Sequence, residues 1–368
     1  MKVYMNTQEL NAGVSDVVRA LSQKSVIPIL EGICFLAEDS AVTLICTDMS
    51  LRIETRIAAD VTEEGCVIIP GRLFAEIVRR LPEETVELET QDNKIVIKSG
   101  RSRSTLQISS AQDYPAMPEI GDPTEISISQ NAFRNMIRQT IFATTQDDTK
   151  PMLNGILLEA EENILKLVAL DGFRLALRRE PCNYAGSCSK AIVPTKSLSE
   201  ISRMMLDSNE PIKLVISKTH IAIDLEHTKI VSRLLDVNFI NYDSILTKTF
   251  KTRVRVKRAE LLEIIERASL ISRENKGNAI RMKFGGDMLK ISAVSELGSV
   301  NEELPVEIEG DSIEIAFNAR FMSDVFKSLE DEEVYMNMIN RISQCVICPI
   351  EGDAYQYVVL PMRILDAD

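Results

Sequence analysis

The side chains able to do covalent chemistry in this chain are few and scattered. Only two histidines occur, His220 and His227, in or beside an alternating strand-like stretch, and neither neighbours a nucleophile or a ligand set. Cys345-Val346-Ile347-Cys348 has the spacing of a metal or redox pair. It lies in an apolar, strand-like run, and no second cysteine pair completes a zinc tetrahedron. Asp171-Gly172 offers a carboxylate with no partner acid or base repeated beside it. Neither a Walker-type phosphate loop nor a Gly-x-Gly-x-x-Gly fingerprint is present. These observations point away from an enzyme and predict no metal and no cofactor. What recurs is cationic chemistry of the kind that neutralises phosphate. Counting from Pro70, Pro194 and Asn318, position +2 is Arg72, Lys196 and Arg320, and position +9 is Arg79, Arg203 and Lys327.

The elements that carry these cations are three copies of one unit. Val67-Ile68-Ile69-Pro70, Ala191-Ile192-Val193-Pro194 and Ile315-Ala316-Phe317-Asn318 stand at equal spacings of 124 residues, close to a third of the 368-residue chain. Each reads as an apolar strand running into a helix, with Pro at or near the first turn in two copies. Apolar residues fall at +4, +7 and +11 (Phe74, Ile77, Leu81; Leu198, Ile201, Met205; Met322, Val325, Leu329), a core-facing stripe. Residues seven apart lie about 20° apart on a helix, so the paired cations share one face, roughly opposite that stripe. An acid at +6 (Glu76, Glu200, Asp324) could pair with them and make the face merely solvated.

A second helix repeats as Leu10, Val14 and Val18; Phe133, Ile137 and Ile141; Leu261, Ile265 and Ala268, with Arg134 and Arg138 one turn apart on the middle copy. Ile27-Pro28-Ile29-Leu30-Glu31-Gly32 and Lys150-Pro151-Met152-Leu153-Asn154-Gly155 lead into matching strands, and the third copy is looser around Gly277 to Met282. Alternating runs such as Lys94-Ile95-Val96-Ile97-Lys98 supply β-strands. The reading is α+β: three tandem domains of two helices over an antiparallel sheet, at 1–119, 124–246 and 251–368.

Composition sets the wider bounds. A charged fraction of 26% and a hydrophobic fraction of 45% are those of a globular protein, and no apolar run is long enough for a bilayer. Met1 to Asn6 turns polar too soon for a signal peptide, and seven scattered cysteines suit free thiols in a reducing compartment. A cytoplasmic protein without a membrane partner follows. A net charge of −13 argues against a nucleic-acid partner only if charge is evenly spread. Two such chains closed head to tail would present about twelve helices around a hole of roughly 26 Å, enough for a B-form duplex. A repeat scaffold that binds only proteins also explains the repeats, but leaves six matched cations without a purpose.

Several strings occur in order along the chain: Ile27-Pro28-Ile29-Leu30, Thr47-Asp48, Ser99-Gly100-Arg101-Ser102-Arg103, Asp113-Tyr114-Pro115, Leu153-Asn154-Gly155, Asp171-Gly172-Phe173-Arg174-Leu175 and Tyr357-Val358-Val359-Leu360-Pro361-Met362-Arg363. Through these the chain resembles the bacterial sliding clamps, the DNA polymerase III beta subunits, over essentially its whole length. The resemblance implies a non-catalytic processivity factor: a head-to-tail homodimeric ring around double-stranded DNA, without sequence specificity. It implies DNA-facing roles for Lys24, Arg72, Arg79, Arg134, Arg138, Lys196, Arg203, Arg320 and Lys327. It also implies an apolar pocket that receives short hydrophobic peptides from the clamp loader, the replicative polymerase and repair proteins. Its residues here are Leu153, Leu170, Gly172, Arg174, Leu175, Ile240, Ile245, Val358, Leu360, Pro361, Met362, Arg363 and Ile364, with Arg174 and Arg363 orienting the peptide. Leu106, Leu270 and Ile271 fall at the implied dimer interface. The chain departs from the family pattern at Leu170 (usually Thr), Ile240 (usually Pro) and Ser104 (often aromatic), and it runs on through Leu365 to Asp368. The first two changes make the pocket more apolar, and Ser104 predicts a weaker junction.

Overall fold

The computed structural model describes every residue except 23, 24, 146, 148, 185, 187, 247, 248, 275, 276 and 364–368. Six α-helices are present among the described residues: α1 (Thr7–Val17), α2 (Gly71–Val78), α3 (Gln130–Thr140), α4 (Thr195–Met204), α5 (Arg258–Ser272) and α6 (Ala319–Ser328). They form three pairs, one per repeat, as expected. Strands Gly65–Pro70, Ser189–Pro194 and Ile313–Asn318 each hand over to a helix at the next residue. Pro70 and Pro194 therefore close their strands and do not sit inside the helical turn. Asn318 instead caps α6, its Oδ1 accepting from the Arg320 and Phe321 amides at 2.9 and 3.3 Å.

The burial pattern follows the helical period with small shifts. Phe74, Leu198, Ile201, Met205, Met322, Val325 and Leu329 are buried, whereas Ile77 and Leu81 are half-buried and Val78 takes the inner place. In the other helix of each repeat, Leu10, Val14, Phe133, Ile137, Leu261, Ile265 and Ala268 are buried. Val18 and Ile141 are half-buried, because α1 and α3 tighten there into the 3-10 turns Val18–Ala20 and Ile141–Ala143. Val17 and Met136 take the inner positions.

The two matched strand leads become 3-10 turns, Pro28–Glu31 and Pro151–Leu153, followed by strands Gly32–Glu38 and Gly155–Glu161. Gly32 lies opposite Pro70 and Gly155 opposite Pro194, and the third copy places Ala279 opposite Asn318. A Cβ on Gly32 would stand 2.1 Å from Ile68 Cγ2, and one on Gly155 2.7 Å from Ile192 Cγ2, so these strand starts need glycine.

The chain forms two compact units, residues 1–130 with 196–234, and residues 131–195 with 235–368. The middle repeat contributes to both. The first unit holds a nine-stranded antiparallel sheet that joins five strands of the first repeat to four of the second, Leu51–Ala58 pairing with Thr228–Arg233. The second unit repeats this with four strands of the second repeat and five of the third, Arg174–Pro181 pairing with Tyr355–Val359. A five-stranded sheet ending on Ser102–Gln107 remains in the first unit, and a four-stranded one ending on Gly298–Pro305 in the second.

Candidate functional site

The six recurrent cations are exposed, five within helices and Arg79 at the C-cap of α2. The core stripe of α2, α4 and α6 packs inward, so the side chains half a turn away point outward. Arg72, Arg79, Lys196 and Arg203 belong to the first unit, and Arg134, Arg138, Arg320 and Lys327 to the second. Pairing with the acid at +6 is realised once, as Arg203–Glu200 at 2.8 Å. Glu76 turns to Arg80, and Asp324 leaves its helix face for Arg174 at 2.6 Å. Lys196 meets Asp48 at 2.7 Å, Lys327 meets Glu266 at 2.8 Å and Arg138 meets Glu330. These contacts are solvent-exposed on the cation's side and each is worth little in water. Arg79 and Arg320 have no ion pair with a described residue. Arg134 is half-buried, and Lys24 lies outside the described residues.

Two hairpin turns position the junction side chains. Asp171 Oδ1 accepts from the Phe173 and Arg174 amides at 2.9 and 3.0 Å, around Gly172 at φ +93°. Asp48 does the same for Ser50 and Leu51 at 3.0 and 2.8 Å, around Met49 at φ +72°. Asp171 is thus a turn-former. Its other oxygen holds Arg174 Nε at 3.0 Å. Arg174 is buried, with its remaining nitrogens on Asp324 and the Phe142 carbonyl and its plane 4.5 Å from the Phe321 ring. Arg174, expected to orient a peptide, has its guanidinium donors met inside the protein, as a guanidinium removed from water requires. Phe173 and Phe321 stack beside it, ring centroids 6.0 Å apart. Sequence reading missed Phe321 and Asp324 as its partners, since nothing local links residues so distant in the chain.

The expected pocket residues divide by burial. Leu153, Leu170, Leu175 and Val358 are buried in one apolar cluster on a face of the second unit's nine-stranded sheet, with Val346, Tyr242 and half-buried Phe239, Ile245 and Leu246 packed against them. Ile240, next to Phe239, and Leu360, two residues beyond Val358, are each 41% exposed. Gly172 and Arg363 are exposed and Pro361 is half-buried. Met362 is half-buried and its amide donates to the Ala316 carbonyl at 2.8 Å, so it stands beside strand Ile313–Asn318 and not in the cluster. Ile364 lies outside the described residues. Tyr242, which sequence reading also missed, pins the covering segment by donating to Glu159 Oε1 at 3.2 Å. Burial pushes the Glu159 carboxyl up, but hydrogen bonds from Lys166 and Lys190 outweigh it and hold it below the usual glutamate range. The same two lysines leave Glu159, Glu161 and Cys188, whose ligand atoms lie within 4.8 Å of one another, with no charge deficit for a metal to fill.

The remaining reactive side chains are dispersed. His220 is half-buried, its ring shifted below the ordinary value by burial and by Arg233, and His227 is exposed beside Glu226 at 3.5 Å. Cys345 and Cys348 point to opposite faces of one strand, as residues three apart must, and burial pushes both thiols up. Of the expected junction residues, Leu270 is exposed and Ile271 half-buried. Leu106 is already buried within its own unit and presents little surface to a second chain.

Comparison with known proteins matches this geometry. The DNA polymerase III beta subunit N-terminal, central and C-terminal domains match residues 1–118, 127–241 and 243–363 in turn. The beta sliding clamp of Bacillus subtilis strain 168 is 32% identical over 376 residues, covering 99% of this chain and all of that protein. A crystal structure of the Bacillus subtilis sliding clamp superposes with a TM-score of 0.96 at 31% identity, over 99% of this chain and 100% of that one. The sliding clamp of Pseudomonas aeruginosa bound to griselimycin superposes at 0.95 with 28% identity and the same coverage. With three consecutive domain matches spanning nearly its whole length, the chain belongs to the DNA polymerase III beta subunit family, the beta sliding clamps.

Proposed function

We propose that two copies of this chain close head to tail into a ring that encircles duplex DNA without sequence preference and tethers polymerases to it, acting in the cytoplasm and catalysing nothing. The observation that carries this is the strand count. Each nine-stranded sheet joins five strands of one repeat to four of its neighbour. The fourth strand of one repeat, Leu51–Ala58 or Arg174–Pro181, meets the last strand of its neighbour, Thr228–Arg233 or Tyr355–Val359. The equivalent strands left over, Gly298–Pro305 and Ser102–Gln107, are edges of a four- and a five-stranded sheet. Pairing them between two chains makes the same nine-stranded sheet twice, removes both open edges and yields a closed two-fold assembly of six domains. Taking the repeats as 1–119, 124–246 and 251–368, each domain then turns its cationic helix to one surface. A net charge of −13 disfavours DNA elsewhere on the protein.

The DNA-facing set is Arg72, Arg79, Arg134, Arg138, Lys196, Arg203, Arg320 and Lys327, meeting phosphates loosely enough for sliding. Polymerases, the loader and repair proteins would dock short hydrophobic peptides against Ile240, Ile245 and Leu360 over the Leu153, Leu170, Leu175 and Val358 floor, in competition for one site. A Kd in the micromolar range, about −8 kcal/mol, suits exchange. The loader would hydrolyse the ATP. Retention on nicked circular against linearised DNA tests the ring. Wild type should stay on the circle and run off the linear form, and reversing Arg72, Arg79, Lys196 and Arg203 to Glu should cut retention on the circle about tenfold or more at low salt. Equal loss of wild type from both forms removes the topological reading.

A further inference from the structure

Beyond the apolar cluster, the same sheet face of the second unit contains a cavity of about 390 Å³ whose walls include Arg179, Arg253, Asn337, Val346, Phe250 and Asp353. The Arg253 guanidinium lies 3.9 Å from the Phe250 ring centroid and 4.7 Å from that of Tyr335, with Nε donating to Asn337 Oδ1 at 3.1 Å. It has no carboxylate partner among the described residues. Arg179 donates to the Asp353 carbonyl at 2.7 Å and to Gln356 Oε1 at 3.3 Å. Its nearest carboxylate, Asp353 Oδ2, stands 3.9 Å away with the Asp353 side chain 84% exposed. Among the described residues, Asp353 is thus the one carboxylate paired with either guanidinium, and it is solvated, in a protein that is acidic overall. A planar fork packed against two rings and fixed at Nε is pre-organised to bind a carboxylate.

Val346 belongs both to the cavity wall and to the apolar cluster, so the two sites are continuous. Along strand Arg174–Pro181, Leu175 and Leu177 face the cluster, and Arg179, next on the same face, lines the cavity. Leu175 and Arg179 are four residues apart, about 13 Å in extended chain. We propose that this cavity is an acidic-residue subsite. It receives the carboxylate of an Asp or Glu that lies about four residues from the hydrophobic anchor of a docked partner peptide. The inference rests on the peptide-docking reading of the cluster.

The probes are fluorescein-labelled ten-residue peptides with a Leu-Phe anchor and either Glu or Gln four residues before or after it, measured by fluorescence anisotropy at about 50 mM salt. Wild type should bind one Glu peptide roughly tenfold more tightly than its Gln counterpart, the gap closing as salt rises. In Arg253→Gln, and separately in Arg179→Gln, the Glu-to-Gln affinity ratio should fall toward one. Reading a ratio makes the test insensitive to any general loosening of the face by either substitution. If both peptides bind wild type equally, or if the ratio survives both substitutions, the subsite is wrong while peptide docking stands. If no peptide binds wild type, the docking reading falls and takes the subsite with it.

Discussion

Single side chains in this protein acquire their properties from neighbours remote in sequence. Arg174 is held by Asp171, Asp324 and two aromatic rings, so it fastens the second and third repeats together within one unit. Breaking such a buried pair leaves charges unpaired, a cost of about 3–5 kcal/mol, which makes Arg174 a poor position at which to probe binding. The Sγ atoms of Cys34 and Cys66 are 3.5 Å apart across two strands. That hydrogen bond brings the Cys66 thiol down to about 7, and with burial it drives the Cys34 thiol up. Cys66 is exposed and Cys34 is buried. Since the thiolate is the nucleophile, iodoacetamide at pH 7.5 should modify Cys66 roughly tenfold faster than Cys34. Cys66 labelling should slow about fivefold or more at pH 6, where its thiol is mostly protonated. Peptide mass spectrometry reads both rates, and equal labelling of the pair would contradict the assignment.

At the scale of elements, the proposed partner surface combines a buried floor with an exposed rim, and only the rim can be probed cleanly. Leu175 is buried in the sheet, so Leu175→Ala should cost about 2–5 kcal/mol and lower the melting temperature whatever it does to peptides. Leu360→Asp and Ile240→Asp alter exposed side chains and should move stability by no more than about 0.5 kcal/mol. Each should weaken binding of a hydrophobic peptide about tenfold and abolish stimulation of the polymerase. Thermal unfolding beside titration calorimetry separates the two effects. Unchanged peptide affinity in both rim variants would move the partner site off this face.

For the whole molecule, the repeats let the proposed junction between chains be read from the junctions inside one. The residue before the fourth strand and the residue three beyond the Pro70, Pro194 or Asn318 anchor occupy corresponding places in each repeat. Between the first and second repeats these are Ser50 and Ser197, and between the second and third Phe173 and Phe321, which stack. The remaining pair is Leu297 and Leu73, respectively 78% and 50% exposed. Their matched size and open surface fit a contact between Leu297 of one chain and Leu73 of the next. Leu297→Glu should weaken dimerisation at least about tenfold in sedimentation velocity at micromolar concentration, and Leu73→Glu should do the same from the other side. Dimers of unchanged affinity in both variants would remove this contact.

Local regularities alone determined much of this. The 124-residue spacing and the helical period placed three strand-to-helix units, their buried stripes and their outward cations, because periodicity and alternation depend only on neighbours a few residues away. The resemblance supplied the family and pointed to the apolar face. Tertiary structure decided what depends on distant chain segments: that the middle repeat is divided between two compact units, and that Asp324 serves Arg174 and not its own helix. It also decided that Leu106 and Leu175 are core and that Met362 stands apart from the cluster it was expected to line. Burial and partner choice are set by long-range packing, and no spacing within a single repeat encodes which of its sheet edges the next repeat will cover.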